Sequence, residues 1–372
     1  MFARVAFAVA LALAFAPLPS GCVGAAITRI DPRAASLRAT CDAFAHEQRA
    51  VGFSVAIIDD GAVLLDEAFG FADREAARPA RTSTLYRLGS VSKPVCATIA
   101  MRLVEQGALA LDAPIGECVA DLPETIRPLT LHQLLSHTAG VRHYAFGRAD
   151  NGTTHRSTRE ALELFVNDPL LFEPGAKYSY STHAYTLVVA AIESVTKRDY
   201  VHVLREHARR FAPSLDCEIL TESKSERASL YDGSGNGEAV ARPVREDNSW
   251  KYGGGGLEAT AMDVARFGQA VLDAEFVSAR SRDEMWRPAV LNDASATNYG
   301  LGWRLAQDGS AVLHSGSQQG CHAMLLVVPD ERLVIVVLSN TSGSGAPELA
   351  EALREQLTSE PIASEPVGAT ER

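Results

Sequence analysis

What the chain lacks narrows its class first. Its six cysteines, at positions 22, 41, 96, 118, 217 and 321, include no C-x-x-C pair and no zinc-ligand spacing, which leaves structural zinc, dithiol redox chemistry and a cysteine nucleophile without support. The ten histidines contain no H-E-x-x-H; His202 and His207 diverge on a helix, and His132, His137 and His143 read as structural hydrogen-bonders. Neither Gly233-Ser234-Gly235-Asn236-Gly237 nor the tetraglycine Gly253 to Gly256 is followed by the residues of a phosphate or dinucleotide loop, so no metal or organic cofactor is expected. The formal charge of −11 is spread without a long basic run, and nucleic acid therefore finds no electrostatic footprint.

Long hydrophobic runs are also missing. The apolar stretch Val5 to Ala16 is short of the roughly 20 residues a membrane span needs. Arg4 precedes it and Pro17, Pro19 and small residues follow, the layout of a secretory signal; an amphipathic mitochondrial presequence would need several arginines and a polar face. Residues 1–25 are read as that signal, with cleavage near Ala25 and Ala26 and export to the periplasm or the medium. Leu18-Pro19-Ser20-Gly21-Cys22 offers an alternative, a bacterial lipoprotein box that would anchor the chain to a membrane through Cys22, although Pro19 departs from the pattern. With Cys22 discarded or lipidated, five cysteines remain, so at least one is a free thiol, and no disulfide can be assigned.

What is present describes an ordinary globular chain: 372 residues, 47% hydrophobic and 22% charged, enough for one large core or two modest ones. Phe53 to Ile58, the turn Asp59-Asp60-Gly61, and Ala62 to Phe71 predict a hairpin. Val91 to Gln106 predicts a buried helix with Pro94 in its first turn and Gly107 as its stop. Helical patterns dominate from Leu129 to Leu272, including an amphipathic Arg159 to Asn167, Tyr185 to Val195, and a helix opened by Thr260 and Asp263 as a capping box. Strands return at Tyr299 to Leu305, Ala311 to His314, His322 to Val328 and Leu333 to Leu338, before a helix from Pro347 to Leu357. The expected fold is mixed α/β of the α+β kind. An antiparallel sheet is built from both chain ends (about 30–90 and 285–358), a mostly helical region (about 91–284) is inserted, and 359–372 form a disordered tail. A cleft is expected where the two parts meet.

Ser90 and Lys93, three apart at the start of a helix, share a face, so the amine can reach the hydroxyl. Serine is a weak nucleophile until a neighbour takes its proton, burial lowers a lysine into the range where it can do so, and the helix N-terminus favours a developing oxyanion. The motif alone is weak, for Ser194-Val195-Thr196-Lys197 repeats it at what reads as a solvated helix end. Context separates the two. Tyr180-Ser181-Thr182 follows the first copy, with Tyr180 placed as an acid-base group whose pKa neighbouring cations would lower; Tyr178 reads as packing. His314-Ser315-Gly316 on a predicted strand supplies a cleft wall, where Gly316 permits close backbone approach and the amide of Ser317 joins that of Ser90 as an oxyanion hole. Asn248 and Tyr252, beside the tetraglycine, are further candidate substrate contacts. Glu163 to Asn167 matches the E-x-x-x-N of a deacylation loop, but it precedes Tyr180 and belongs to the helical stretch.

The S-x-x-K, Y-S-x and H-x-G order resembles the serine β-lactamase and penicillin-binding-protein superfamily. Supporting segments are Leu109 to Asp112, Leu134 to Gly140 and Phe172 to Gly175. Val141 to Tyr144 and Asp247 to Tyr252 are most similar to the mitochondrial β-lactamase-like serine protease branch, over roughly Gly52 to Asn340. The resemblance implies Ser90 as acylated nucleophile, Lys93 and Tyr180 as the acid-base pair, and Thr182, where relatives have Asn, as a polar cleft residue. It implies an acyl-enzyme hydrolase of peptides or esters. His314 stands where β-lactamases and D-alanyl carboxypeptidases place Lys, which lowers the expectation of penicillin hydrolysis. A penicillin-binding sensor without turnover is the competing expectation.

Overall fold

Asp60 and Gly61 adopt φ of 43° and 78°, the paired left-handed geometry of a two-residue hairpin turn. They join strands Gly52–Asp59 and Ala62–Asp73 and so fix the first edge of the sheet. The computed structural model describes residues 31–47, 49–144, 155–233 and 245–359, and from Pro32 onward they belong to one compact unit. The expected leader, Cys22 and the expected C-terminal tail lie outside the described residues.

The main sheet has seven strands, in the spatial order Arg78–Pro79, Ala62–Asp73, Gly52–Asp59, Leu333–Ser339, Cys321–Val328, Val312–Gln318, Arg304–Leu305. Gly52–Asp59 pairs antiparallel with Leu333–Ser339, Phe53 opposite Ser339 and Asp59 opposite Leu333, so the two ends of the chain meet in the middle of the sheet. Side chains alternate across it. Phe53, Val55, Ile57, Met324, Leu326, Ile335 and Val337 pack with Leu37, Cys41 and Phe44 of helix Pro32–His46 and with Leu349 and Leu353 of helix Ala346–Ser359. Ala56, Ile58, Leu325, Val327, Val334 and Val336 face the other way, onto Val264, Phe267 and Val271 of helix Ala261–Leu272 and the inserted helical region. Both faces of the central strands are therefore buried, which is why these segments read as continuous apolar runs.

Several local expectations are corrected. The Pro32–His46 helix was not foreseen; its buried Leu37, Cys41 and Phe44 hold the i, i+4, i+7 spacing of one face, but five alanines spread around the helix blur that stripe. The Arg159 to Asn167 stretch forms only the short helix Thr158–Leu162, capped by Ser157. Of Tyr299 to Leu305 only Arg304–Leu305 pairs as a strand. Thr260 caps its helix through the Asp263 amide at 3.2 Å, but the Asp263 carboxylate accepts from the Ser214 amide at 2.6 Å and the Thr260 amide donates to Ser214 Oγ. A tertiary partner has replaced half of the box. Cys41, Cys96, Cys118, Cys217 and Cys321 are all free thiols.

A small three-stranded sheet, Tyr86–Arg87, Leu257–Ala259 and Asp216–Cys217, leads the chain into Ser90. A buried charge network holds it. Arg87 Nε lies 2.8 Å from Glu218 Oε2, with the two side chains 1% and 0% exposed. Arg245 and Asn248 complete the Glu218 carboxylate, while Arg87 also donates to the carbonyls of Glu246 and Gln319.

Candidate active site

Gly89 has φ of 52°, and this left-handed residue turns the chain from Leu88 into a short helical turn, Gly89–Val91, that runs on into helix Ser92–Glu105. Ser90 is placed at that corner, partly exposed. The Val312–Gln318 strand passes directly beside it. A Cβ on Gly316 would lie 2.0 Å from the Leu88 carbonyl oxygen and 3.2 Å from the Ser90 amide nitrogen, and one on Gly89 would lie 3.0 Å from the Ser317 amide nitrogen. Only glycine at both positions allows this approach, and it sets the Ser90 and Ser317 backbones side by side.

Lys93 lies one turn into the helix and is fully buried. Its Nζ is 3.2 Å from Ser90 Oγ, 3.2 Å from Thr182 Oγ1 and 2.6 Å from the Gly254 carbonyl oxygen. Burial, then the positive charges of Lys251 and Arg304, hold its pKa well below the ordinary lysine value. A neutral amine has two N–H donors and one lone pair, and three partners suit it. In its amine form Lys93 can donate to Gly254 O and Thr182 Oγ1 and turn its lone pair to the Ser90 hydroxyl. The tetraglycine makes the Gly254 contact possible: a Cβ on Gly254 would lie 2.7 Å from Thr182 Cγ2, and one on Gly253 would lie 2.5 Å from Val189 Cγ2.

Tyr180 precedes helix Thr182–Thr196. Ser181 caps that helix by accepting from the Ala184 amide at 3.0 Å. Two histidines fasten the same turn: the Ser181 amide donates to His137 Nδ1 at 3.2 Å and the Thr182 amide to His143 Nδ1 at 3.0 Å. The Tyr180 hydroxyl hydrogen-bonds with Ser90, and Lys93 Nζ lies 4.6 Å from the centre of its ring. Here the expected lowered pKa is corrected. Burial raises the phenol above its ordinary value, outweighing the Ser90 hydrogen bond and Arg304. Tyr180 therefore rests protonated, as a donor.

His314 is corrected too. It is 1% exposed and faces inward; Nδ1–H donates to the Ser315 carbonyl at 2.7 Å and Nε2 accepts from the Tyr299 hydroxyl at 2.9 Å. With both nitrogens engaged inside the protein, the ring has no valence left for a substrate carboxylate. Asn248 is also withdrawn, since its Nδ2 donates to Glu218. Tyr252 lines a separate cavity of about 430 Å³ with Glu193, Tyr200 and Arg156. The second S-x-x-K does not assemble: Ser194 Oγ donates to the Cys118 carbonyl and Lys197 is the left-handed helix cap. Two cations that sequence reasoning passed over, Lys251 and Arg304, do surround the site. Arg304 Cζ lies 5.5 Å from the Tyr180 ring centre.

The buried histidines make stability depend on pH. His143 is lowered to about 4 by burial and then by Lys93, and His137 and His314 are held well below their ordinary value chiefly by burial. The unfolded chain takes up these protons near pH 6.5 and the folded chain does not. Stability is then full above about pH 6.5 and falls as the pH drops toward about 4. Urea midpoints measured at stepped pH should show this decline, and a His143→Phe variant should show a shallower one; identical slopes would contradict the assignment.

The family model for Beta-lactamase matches residues 37–359. The chain belongs to the Beta-lactamase family. It is 30% identical over 274 residues to Esterase EstB of Burkholderia gladioli, covering 64% of this chain and 70% of that one. It is 25% identical over 387 aligned residues to the mitochondrial serine beta-lactamase-like protein LACTB of Homo sapiens, covering 77% of this chain and 70% of that one, so the branch suggested by Val141 to Tyr144 and Asp247 to Tyr252 is among its relatives. The octameric penicillin-binding protein homologue from Pyrococcus abyssi shares the fold, with a TM-score of 0.76 at 22% identity over 87% of this chain and 77% of that one. The family's chemistry is serine acyl transfer, and this member is a serine hydrolase.

Proposed function

We propose that Ser90 is the acylated nucleophile of this hydrolase and that its substrates are esters or peptides. The observation that carries the reading is the buried Lys93 Nζ held by Gly254 O and Thr182 Oγ1 within hydrogen-bond distance of Ser90 Oγ. In acylation the Ser90 proton passes to the Lys93 amine as Oγ bonds to the substrate carbonyl carbon, and the oxyanion is received by the amides of Ser90 and Ser317. Tyr180 then gives its proton to the leaving oxygen or nitrogen, and the Lys93 ammonium restores it. Water repeats the sequence on the acyl-enzyme: its oxygen bonds to the acyl carbon as its proton passes to the Lys93 amine, and the Lys93 ammonium returns a proton to Ser90 Oγ as the bond to the acyl group breaks and the acid departs.

His314 supports esters and peptides over penicillins, because an engaged, neutral imidazole offers no ammonium to a carboxylate at that wall. The stretch Val5 to Ala16 with Arg4 before it supports export, either by a cleaved signal or by a lipid on Cys22. Labelling with an active-site serine phosphonate tests the nucleophile: the wild-type protein should be labelled and Ser90→Ala should not, whereas undiminished labelling of Ser90→Ala would remove Ser90 from the mechanism.

A further inference from the structure

The cleft holds a second buried amine that the acyl-transfer steps leave unused. Lys251 is 6% exposed, and its Nζ lies 5.0 Å from the Trp250 ring centre and 5.3 Å from that of Tyr144. Among the described residues no hydrogen bond or ion pair engages the ammonium. Glu218, which attracts it from a distance, is already occupied by Arg87, Arg245 and Asn248. Burial and then Arg87 push Lys251 down to about 8, with Glu246 and Glu218 opposing, so it remains largely charged at neutral pH. Aromatic faces offset part of the cost of that charge, but a buried ammonium is satisfied fully only by an acceptor.

Its surroundings place it at the reaction centre. A Cβ on Gly255 would lie 3.5 Å from Lys251 Cδ and 3.7 Å from Gln318 Oε1. Gly255 follows the carbonyl that holds Lys93, and Gln318 follows the Ser317 amide. Gln318 Nε2 is itself buried without a hydrogen-bond partner. The Lys251 stem and the Gln318 carboxamide thus flank one glycine beside the Ser317 strand, and the carboxylates that attract the ammonium, Glu246 and Glu218, do so without a hydrogen bond or ion pair to it among the described residues.

We propose that Lys251 and Gln318 form a subsite for a carboxylate carried by the substrate beside its scissile carbonyl, which makes the enzyme selective for anionic esters or amides. The inference rests on the Ser90 hydrolase reading and adds its substrate class. The carboxylate belongs to the acyl part or to the leaving group, and paired substrates distinguish these. Para-nitrophenyl hydrogen adipate against para-nitrophenyl hexanoate tests the acyl side; the hexanoyl ester of para-hydroxybenzoate against that of methyl para-hydroxybenzoate tests the leaving side.

In one pair the anionic ester should be preferred by about tenfold or more in kcat/KM. Lys251→Met should erase that preference mainly through KM, Lys251→Arg should restore part of it, and Gln318→Leu should reduce it. Unfolding midpoints, with the Arg variant, separate lost recognition from lost folding. The subsite is overturned if neither pair shows a preference while Ser90 is acylated by the neutral esters, or if Lys251→Met keeps the wild-type ratio. If the serine phosphonate does not label Ser90, the hydrolase reading itself falls, and the subsite with it.

Discussion

Lys93→Met should lower kcat/KM by at least about 10³-fold, the scale of losing a general base that acts as a unit with its nucleophile. Methionine fills nearly the same volume, so the loss would be chemical. Lys93→Arg gives a sharper version. A guanidinium keeps a positive charge near Ser90 and Thr182 but cannot accept a proton, so it should be equally inactive, whereas a purely electrostatic lysine would tolerate it. The wild-type rate should rise with pH through the depressed pKa of Lys93, because the amine is the working form and burial favours it. An Arg variant that retains a tenth or more of the wild-type rate, as an order-of-magnitude threshold, would contradict the base role.

Glu218→Ala should be the most destabilising single change outside the apolar core, by about 3–5 kcal/mol, because it leaves Arg87 as an uncompensated buried charge. Arg87 lies within the short sheet that delivers Leu88, Gly89 and Ser90 to the corner, so activity should fall at temperatures where the variant is still mostly folded. The double variant Arg87→Met with Glu218→Leu removes both charges and should recover much of the stability. Urea denaturation of the three variants checks this. Equal stability for Glu218→Ala and the wild type would mean that the carboxylate carries no structural weight.

The sequence was most legible where one residue type can serve one physical need. Gly316 was readable because only glycine tolerates the contact of 2.0 Å to the Leu88 carbonyl oxygen that a Cβ would make. The pairing of Ser90 with Lys93 followed from helical spacing, and the sheet from apolar runs on strands buried on both faces. Legibility failed where tertiary partners decide. His314 occupies a cleft motif, yet its inward turn depends on Tyr299, a neighbour that no local pattern announces. Tyr180 was expected to be lowered by cations because they were foreseen without the burial that outweighs them. Asn248 and Tyr252 flank the tetraglycine in sequence, but their functional groups leave for Glu218 and a separate cavity. Lys251, between Trp250 and Tyr252, did carry a signal: a lysine set among aromatic residues just before four glycines is poorly explained as a solvated surface charge.

The chemistry therefore stands or falls on a covalent bond to one oxygen. The most direct test is intact-mass and peptide-level mass spectrometry of the full chain, quenched early in reaction with a para-nitrophenyl ester. The account predicts a transient acyl adduct on the peptide bearing Ser90, absent from Ser90→Ala and persisting longer in Tyr180→Phe. An adduct on another residue, or one retained in Ser90→Ala, would contradict it.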